Sequence, residues 1–572
     1  MLSTSKRQTT HQCLIDLCWM AILLGIFYAI WIGSFALFTP DEGRYSEIAR
    51  EMVATGDYIT PRLNGVGFFD KPILYYWLQA SAIQFFGLKE SALRFWPALI
   101  GVLGCLMTYL GGHLLFNRRT GILSALILAT CPLYYGAAHY ANLDLEVAVF
   151  ISNALLCFLI GIQAESKKIR VSFLLAAYVF SALAALTKGL IGLAFPAMII
   201  GCWILILNQW ITLKRMYLIS GLTIFFALTI PWYVLVQQAN PQFLHFFFVT
   251  QQVSRFLTQA DFNNKTPVWF YIPIVLVGLL PWVVFFFQAL MQHIKAVAQH
   301  RKKHANQLFL LLWFFIIFVF FSIPKSKTIG YILPIFPALA LMIGSYLSQT
   351  WDQFKTKGII AGAIGFILLC AATVFICLIA PHWTSLEINP ELCPYLYFVA
   401  AIFLVAGLVV GFLLQRGEYP KIIYCIGVTA CIFLLTFIAS ASVINQKSIK
   451  PLAIKLNTEL TANDELVTYF KYYQDLPLYT QRRVTVVADW KAEDIPQYDN
   501  WQRELWFNMP YQDTQDWLID KKTFLSRWNS EKRLFVLMNS GYYPQFSVNI
   551  KNKIYKLAES NGVILVSNKS NV

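Results

Sequence analysis

A chain of 572 residues that is 58% hydrophobic and 13% charged, with a mean hydropathy of +0.56, falls outside the composition of soluble domains and within that of polytopic membrane proteins. Its formal charge of +15 is scattered over many short loops, which argues against nucleic-acid binding and suits contact with anionic membrane lipid. The 11 cysteines fall almost entirely within apolar runs and form no C-x-x-C pair, so no disulfide framework is encoded.

The first apolar run, 14–36, is long and is followed by no small-residue cleavage site, which reads as an uncleaved signal anchor. Stretches of about 20 apolar residues, the length that crosses about 30 Å of hydrocarbon, recur along the chain. With the first run they predict about 13 spans, near 14–36, 91–116, 120–139, 143–163, 171–187, 190–208, 216–236, 268–290, 307–323, 329–348, 357–380, 395–415 and 421–443. Placing Lys6 and Arg7 inside puts Arg118-Arg119, Lys167-Lys168 with Arg170, Lys214-Arg215, Arg301-Lys302-Lys303, Lys355 with Lys357, and Arg416 with Lys421 on the same cytoplasmic side. One miscounted span would break that agreement with the positive-inside rule.

The opposite face receives the long loop 37–90, Ala138–Asn142, the loop 237–267, Pro324–Gly330, 381–394 and the tail. Within the first loop, Tyr45, Ile48, Ala49 and Met52 recur at helical spacing under charged neighbours, which predicts a helix lying in the interface. Ile73–Phe86 is apolar but too short to span comfortably. Beyond Asn445 the composition turns polar, with 17 Lys/Arg against 14 Asp/Glu over 446–572. Short β-type runs at Leu466–Phe470, Arg483–Val487, Leu534–Met538 and Val563–Val566 alternate there with helical stretches such as Asp513–Leu525, predicting a small α/β domain on the outer face. The expected organisation is therefore a transmembrane domain over 1–445, carrying the outer loop 37–90, and an α/β domain over 446–572.

Charged groups capable of chemistry gather on that outer face. Asp41 follows the first span immediately, and Glu42 follows it. A carboxylate there can deprotonate an acceptor hydroxyl or position a substrate amine, and both acids also suit a helix N-terminus. Asp144 opens a later span from the same side, with Glu146 one step deeper, where a charge is costly unless paired. Arg44, Lys71, Arg255, Lys325 and Lys327 lie on the outer face against the positive-inside trend, with Lys188 a weaker member. The compact Ser322-Ile-Pro-Lys-Ser-Lys327 run brings two ammonium groups to where they can converge on a phosphate. His139 and His245 lack a partner at i+3 or i+4, so spacing supports no metal site.

These residues carry a family resemblance. D-E-G-R-Y-S-E-I-A-R-E-M at 41–52, F-F-D-K-P-I-L-Y-Y-W at 68–77, R-F at 255–256, F-F-S-I-P-K-S-K at 320–327, Y-I-L-P at 331–334 and Y-Y-Q-D-L-P-L-Y at 472–479 resemble, in order, the bacterial aminoarabinose transferases that modify lipid A. That family lies within the polyprenyl-phosphate-dependent glycosyltransferases of the GT-C fold, which includes the protein O-mannosyltransferases. The resemblance implies an inverting enzyme in the bacterial inner membrane. It would move a sugar such as 4-amino-4-deoxy-L-arabinose from undecaprenyl phosphate to lipid A on the periplasmic side, with no required cofactor. Asp41 and Asp144 correspond to the family's two catalytic acids. Arg44, Lys71, Arg255, Lys325 and Lys327 correspond to groups that hold the lipid phosphate, and Glu42, Tyr45, Asp70 and Tyr331 to further cavity residues. Two motifs depart from the pattern: F-E-K-P stands here as F-D-K-P, with Asp70, and E-H-I-x-R-F as Q-Q-V-S-R-F, with Gln251 and Gln252. Rival readings are the same chemistry on a protein Ser/Thr or another glycan, and a lipid or sugar transporter. The clustering of charge at one face, rather than at mid-membrane, argues against transport.

Overall fold

The computed structural model describes residues 2–254, 266–352, 356–383, 388–496, 500–550 and 553–570. The chain divides into two compact units. The first consists of Met1–Ser34, Arg94–Pro231 and Lys265–Ile444, the second of Phe35–Leu93, Trp232–Asn264 and Asn445–Val572.

The first unit is helical. Among the described residues of the whole chain, 10 helices are long and apolar enough to cross a membrane, and two bent pairs, Arg118–Ala129 with Pro132–Ala138 and Val268–Gly278 with Val283–His300, raise the number to 12. The 17-residue apolar helix Ile191–Leu207 stands where a thirteenth span is expected. The opening helix α1 (Leu2–Ala29) exposes most of its span, whereas Asp144–Gln163 is 94% buried along its apolar window. The latter is the central helix of the unit. Helix breaks follow local chemistry: Pro132 begins the helix after the 66° bend, and Pro281 lies within the 115° one.

The second unit is built from distant parts of the chain. Its first helix, α2 (Asp41–Thr55), begins with two acids and ends at Gly56, whose φ of 74° and N–H to the Met52 carbonyl close the last turn. The expected stripe of Tyr45, Ile48, Ala49 and Met52 is buried, but so are Glu42, Ser46, Glu47 and Glu51. An interfacial helix would keep that polar side wet; α2 instead buries both sides. The reason is tertiary. Glu47 makes a two-point ion pair with Arg50 at 2.7 and 2.7 Å, and Glu51 accepts the Gly65 N–H. A short hairpin, β1 (Arg62–Leu63) with β2 (Val66–Gly67), and helix α3 (Leu74–Phe86) complete this segment.

The segment is tied to the tail by backbone-directed bonds. Asn64 donates to the Val484 carbonyl and accepts its N–H, both at 2.9 Å, and Asn445 donates to the Ala36 and Leu37 carbonyls. Lys450 pairs with Glu90. The tail itself is a six-stranded sheet with β3 (Glu465–Tyr469), β4 (Thr485–Val487), β5 (Leu518–Ile519), β6 (Leu534–Asn539), β7 (Tyr555–Ser560) and β8 (Val563–Ser567) in the order β5-β4-β3-β6-β8-β7. The first four of those strands run parallel, and β8 and β7 add antiparallel. Alternate residues feed two cores. Val467, Tyr469, Val536 and Met538 face Phe524 and Trp528, while Leu466, Phe535, Leu537 and Leu565 face Leu452 and Leu456. Burial on both faces explains why these strands read as continuous apolar runs. The expected helix Asp513–Leu525 is divided: Leu518–Ile519 pairs with β4 as β5, and the helix begins at Lys521 after Asp520 caps it through the Thr523 N–H at 2.8 Å. Edge pairing, a long-range contact, overrides local helical preference there.

Candidate active site

In the second unit, α2 presents its first turn as an organised charge cluster. Glu42 is fully buried, and its Oε2 accepts the Phe38 N–H at 2.7 Å, so it fixes the chain entering the helix. Arg44 bridges Asp41 and Glu504 with two different guanidinium nitrogens. Its side chain and that of Glu504 are largely buried, whereas Asp41 is 38% exposed. Burial pulls the Arg44 pKa down, but the charges of Glu504 and Asp41, with Tyr45 and Asp70 behind them, outweigh it and hold the guanidinium firmly protonated. Arg44 thus aims the accessible acid, Asp41, from behind.

Beside this cluster stands an aromatic nook. Tyr45 lies 5.9 Å from Tyr75 and 6.2 Å from Tyr76, ring centre to ring centre, and Arg44 sits 5.3 Å from the Tyr45 ring centre. The Tyr76 hydroxyl is buried with no hydrogen-bond partner among the described residues. Lys71 donates to the Asp70 carbonyl at 3.1 Å, and the Asp70 charge is felt at both Arg44 and Tyr76. Asp41, Glu42, Arg44, Tyr45, Asp70 and Lys71 are therefore brought together.

The tail holds α2 in place. Gly43 lies so close to the tail backbone that a Cβ there would come within 2.8 Å of the Asp475 nitrogen. Asp475 is buried, and its Oδ2 accepts from Ser448 Oγ and the Ile449 N–H, both at 3.0 Å. Its Oδ1 has no partner among the described residues, and burial raises the carboxyl pKa to about 6. Burial likewise raises Glu47 and Glu51, which share a hydrogen bond with each other.

In the first unit, Asp144 begins the central helix, its own N–H held by Asn142 Oδ1 at 3.0 Å. It forms an ion pair with Lys188, at the end of the helix Lys167–Lys188, with both side chains more than four-fifths buried. The Lys188 ammonium lies 4.0 Å from the Tyr331 ring centre. A Cβ on Gly330 would overlap the Asp144 carboxylate, so the chain passes close only because glycine stands there. Lys327 is 5% exposed and donates to the Thr266 carbonyl and Oγ1 and the Pro267 carbonyl at 3.2–3.3 Å; burial lowers its pKa. That ammonium is engaged in holding segment 266–267. Lys325 is exposed, and its carbonyl accepts from Thr266 N and Oγ1. Asp144, Lys188 and Tyr331 form one cluster, with Lys327 on the neighbouring turn of chain.

Arg255 and the side chains of Gln251 and Gln252 lie outside the described residues. Among the described residues no three His, Cys, Asp or Glu side chains group as a metal site would require. His139 directs Nδ1 to the Tyr135 carbonyl at 2.9 Å, as a structural histidine does. Sequence reasoning missed Glu504, which lies 460 positions from Arg44 and carries no local signal. It undervalued Lys188, whose signal was available: a cation at an outer span end, where such charges are disfavoured.

A bundle of apolar helices with an acid at the start of the central one, and a separate α/β unit carrying a second acid on a buried helix, define a membrane glycosyltransferase of the GT-C fold. Residues 17–247 match the dolichyl-phosphate-mannose-protein mannosyltransferase family. The chain is 12% identical to the archaeal oligosaccharyltransferase AglB of Archaeoglobus fulgidus, covering 93% of this chain and 70% of that one with a TM-score of 0.50, a likeness of fold. It superposes on ArnT of Cupriavidus metallidurans, crystallised with undecaprenyl phosphate, with a TM-score of 0.82 and 26% identity over 97% of this chain and 98% of that one. It is 30% identical over 527 residues, 90% of this chain and 91% of the relative, to the undecaprenyl phosphate-alpha-4-amino-4-deoxy-L-arabinose arabinosyl transferase of Erwinia tasmaniensis. The chain belongs to this arabinosyl transferase family.

Proposed function

We propose that the protein transfers 4-amino-4-deoxy-L-arabinose from undecaprenyl phosphate to lipid A at the periplasmic face of the bacterial inner membrane, as a multi-pass enzyme. The observation that carries this reading is the correspondence, over 97% of the chain, with an ArnT structure bound to undecaprenyl phosphate. The acidic surroundings of Arg44 support the amino sugar: Asp41, Glu504 and Asp70 place three carboxylates around one guanidinium, a balance that favours a cationic substrate amine.

In the reaction, an acceptor oxygen attacks the anomeric carbon while the bond from that carbon to the undecaprenyl phosphate oxygen breaks, with inversion. The electron pair stays on the departing phosphate. A lipid A phosphate is already anionic and gives up no proton, so Asp41 serves to position; a hydroxyl acceptor would require Asp41 to take the proton. Lys71, in the unit that holds Asp41, is the cation assigned to the leaving phosphate, where positive charge stabilises the transition state most, and Arg44 acts through Asp41; Lys325 stands exposed on segment 324–328 of the other unit. Lys327 supports that segment through Thr266 and Pro267. Asp144 acts with Lys188 as a charged pair. No metal or other cofactor enters this scheme.

Turnover of lipid-linked aminoarabinose by Asp41→Asn is the test. A fall of at least about a hundredfold is expected when a group that positions the reacting partners is lost, and near-normal turnover would remove Asp41 from its role. The match to the mannosyltransferase family supports a second reading, with a protein hydroxyl as acceptor. Mass spectrometry of lipid A from cells with and without the gene separates the two: an unchanged lipid A profile would favour the protein acceptor.

A further inference from the structure

The tail contains a polar cavity of 430 Å³ at the amino ends of the parallel strands. It is lined by Asp464 and Glu465 before and at β3, Arg482 and Arg483 before β4, Asp516 before β5, and Arg527 and Lys532 before β6. None of these residues belongs to the machinery proposed above. Two of its three carboxylates, those of Asp464 and Glu465, are engaged. Glu465 accepts from Thr485 Oγ1 at 2.9 Å, from Arg527 at 2.7 Å and from Lys532 at 3.0 Å, one negative charge against two positive. Asp464 accepts from the Thr461 N–H and hydroxyl at 2.7 and 2.9 Å. The Asp516 carbonyl takes a further bond from Arg527 at 2.9 Å.

The arginines are less committed. The Arg482 guanidinium gives Nη1 to the Thr461 carbonyl at 2.6 Å and makes no other hydrogen bond among the described residues. Arg483 lies over the Trp517 ring at 4.3 Å and against Gly65, a glycine with φ of 81°. Stacking uses the face of a guanidinium and leaves its in-plane donors for an acceptor. Two adjacent guanidiniums, backed by Arg527 and Lys532, offer the forked donors that a tetrahedral oxyanion accepts in pairs. The volume lies in the range of small-ligand sites and exceeds what a bare phosphate fills.

We propose that this cavity binds a phosphate group, as a monoester or free. The phosphorylated headgroup of the acceptor lipid is one source of that chemistry and soluble phosphate the other. Naming the acceptor lipid rests on the proposed function; the anion site itself does not.

The test uses the full-length protein in detergent, with inorganic phosphate and a diphosphorylated lipid A in mixed micelles as probes, and the same lipid after phosphatase treatment as control. Binding to wild type is compared with binding to Arg482→Ala/Arg483→Ala, and with Arg483→Ala alone, the exposed one of the two side chains. The double variant is expected to weaken phosphorylated-lipid binding by at least about tenfold, the loss of two charge-assisted contacts, and the single variant by less. Dephosphorylated lipid should show no difference between proteins. A loss seen with the lipid but negligible with inorganic phosphate assigns the site to the headgroup; equal losses assign it to free phosphate. Equal affinities of wild type and both variants for both probes would overturn the proposal. Because the readout is binding, intact transfer with unchanged binding refutes this cavity alone, and absent transfer with variant-sensitive binding refutes the proposed function alone.

Discussion

Asp475→Asn is expected to stabilise the protein at neutral pH and to remove part of its pH dependence. The Asp475 carboxyl is fully buried, uses one oxygen for both of its hydrogen bonds and leaves the other without a partner. Its pKa rises from 3.8 to about 6, which corresponds to about 3 kcal/mol of cost to the ionised form in the folded state. A raised carboxyl pKa means that the folded protein holds the proton more tightly than the unfolded chain does. Stability from this group therefore increases as pH falls from about 6 towards 3.8, and the full cost applies above 6. Asparagine keeps an oxygen to accept from Ser448 and Ile449 and carries no charge. Thermal unfolding of the full-length protein, wild type against Asp475→Asn, should show the variant more stable by up to about 3 kcal/mol at pH 7.5. The two should converge near pH 4. Glu47 and Glu51, raised in the same direction, are common to both proteins and cancel in the difference. A variant that is less stable at pH 7.5, or a difference that is flat across this range, would refute the account of Asp475 as a strained ionised carboxylate.

Other outcomes follow from the same contacts. Gly43→Ala should lose transfer and about 1–3 kcal/mol of stability, because its Cβ meets tail backbone rather than a movable side chain; a normal melting temperature would show that the close approach is unimportant. Arg44→Lys should lower kcat by at least about tenfold with a smaller effect on the donor KM, since an ammonium lacks the planar fork that holds Asp41 and Glu504 together. Should KM alone change, Arg44 acts on the donor phosphate and not through Asp41. Lys188→Met leaves the Asp144 carboxylate without its ion-pair partner and should cost activity as severely as Asp144→Asn does; full activity would make the pair dispensable.

Much of this protein is legible in one dimension because a bilayer and a two-sided sheet impose simple patterns. Ten of the expected spans stand as single long helices among the described residues, two as bent helix pairs and one as the shorter Ile191–Leu207, because about 20 apolar residues can satisfy their backbone in hydrocarbon only as a helix. The strands at 466–470, 483–487, 534–538 and 563–566 announced themselves by β-branched and aromatic runs, and all four appear in the sheet. The short strand Leu518–Ile519 did not, since two residues carry no period and take their conformation from pairing with β4. Helix α2 was legible as a helix and misread as interfacial. Its stripe was right, but burial of Glu47 and Glu51 depends on Arg50 and on Gly65, and the latter contact is long-range.

The acids that open α2 and the central helix were visible because charge beside an apolar run is rare and costly. What each acid meets was not. Sequence by itself determined which segments enter the membrane, which residues stand at their outer ends and that the tail forms a sheet, since all three follow from local hydrophobic period and charge. Only the tertiary structure decided that Glu504 closes on Arg44, that Lys188 meets Asp144, and that Asp475 packs against Gly43. Those pairings join residues 44 to 460 positions apart, the Gly43–Asp475 and Arg44–Glu504 contacts being at the long end. Chain folding selects them by shape and by the cost of leaving a buried charge alone, neither of which is written in local order.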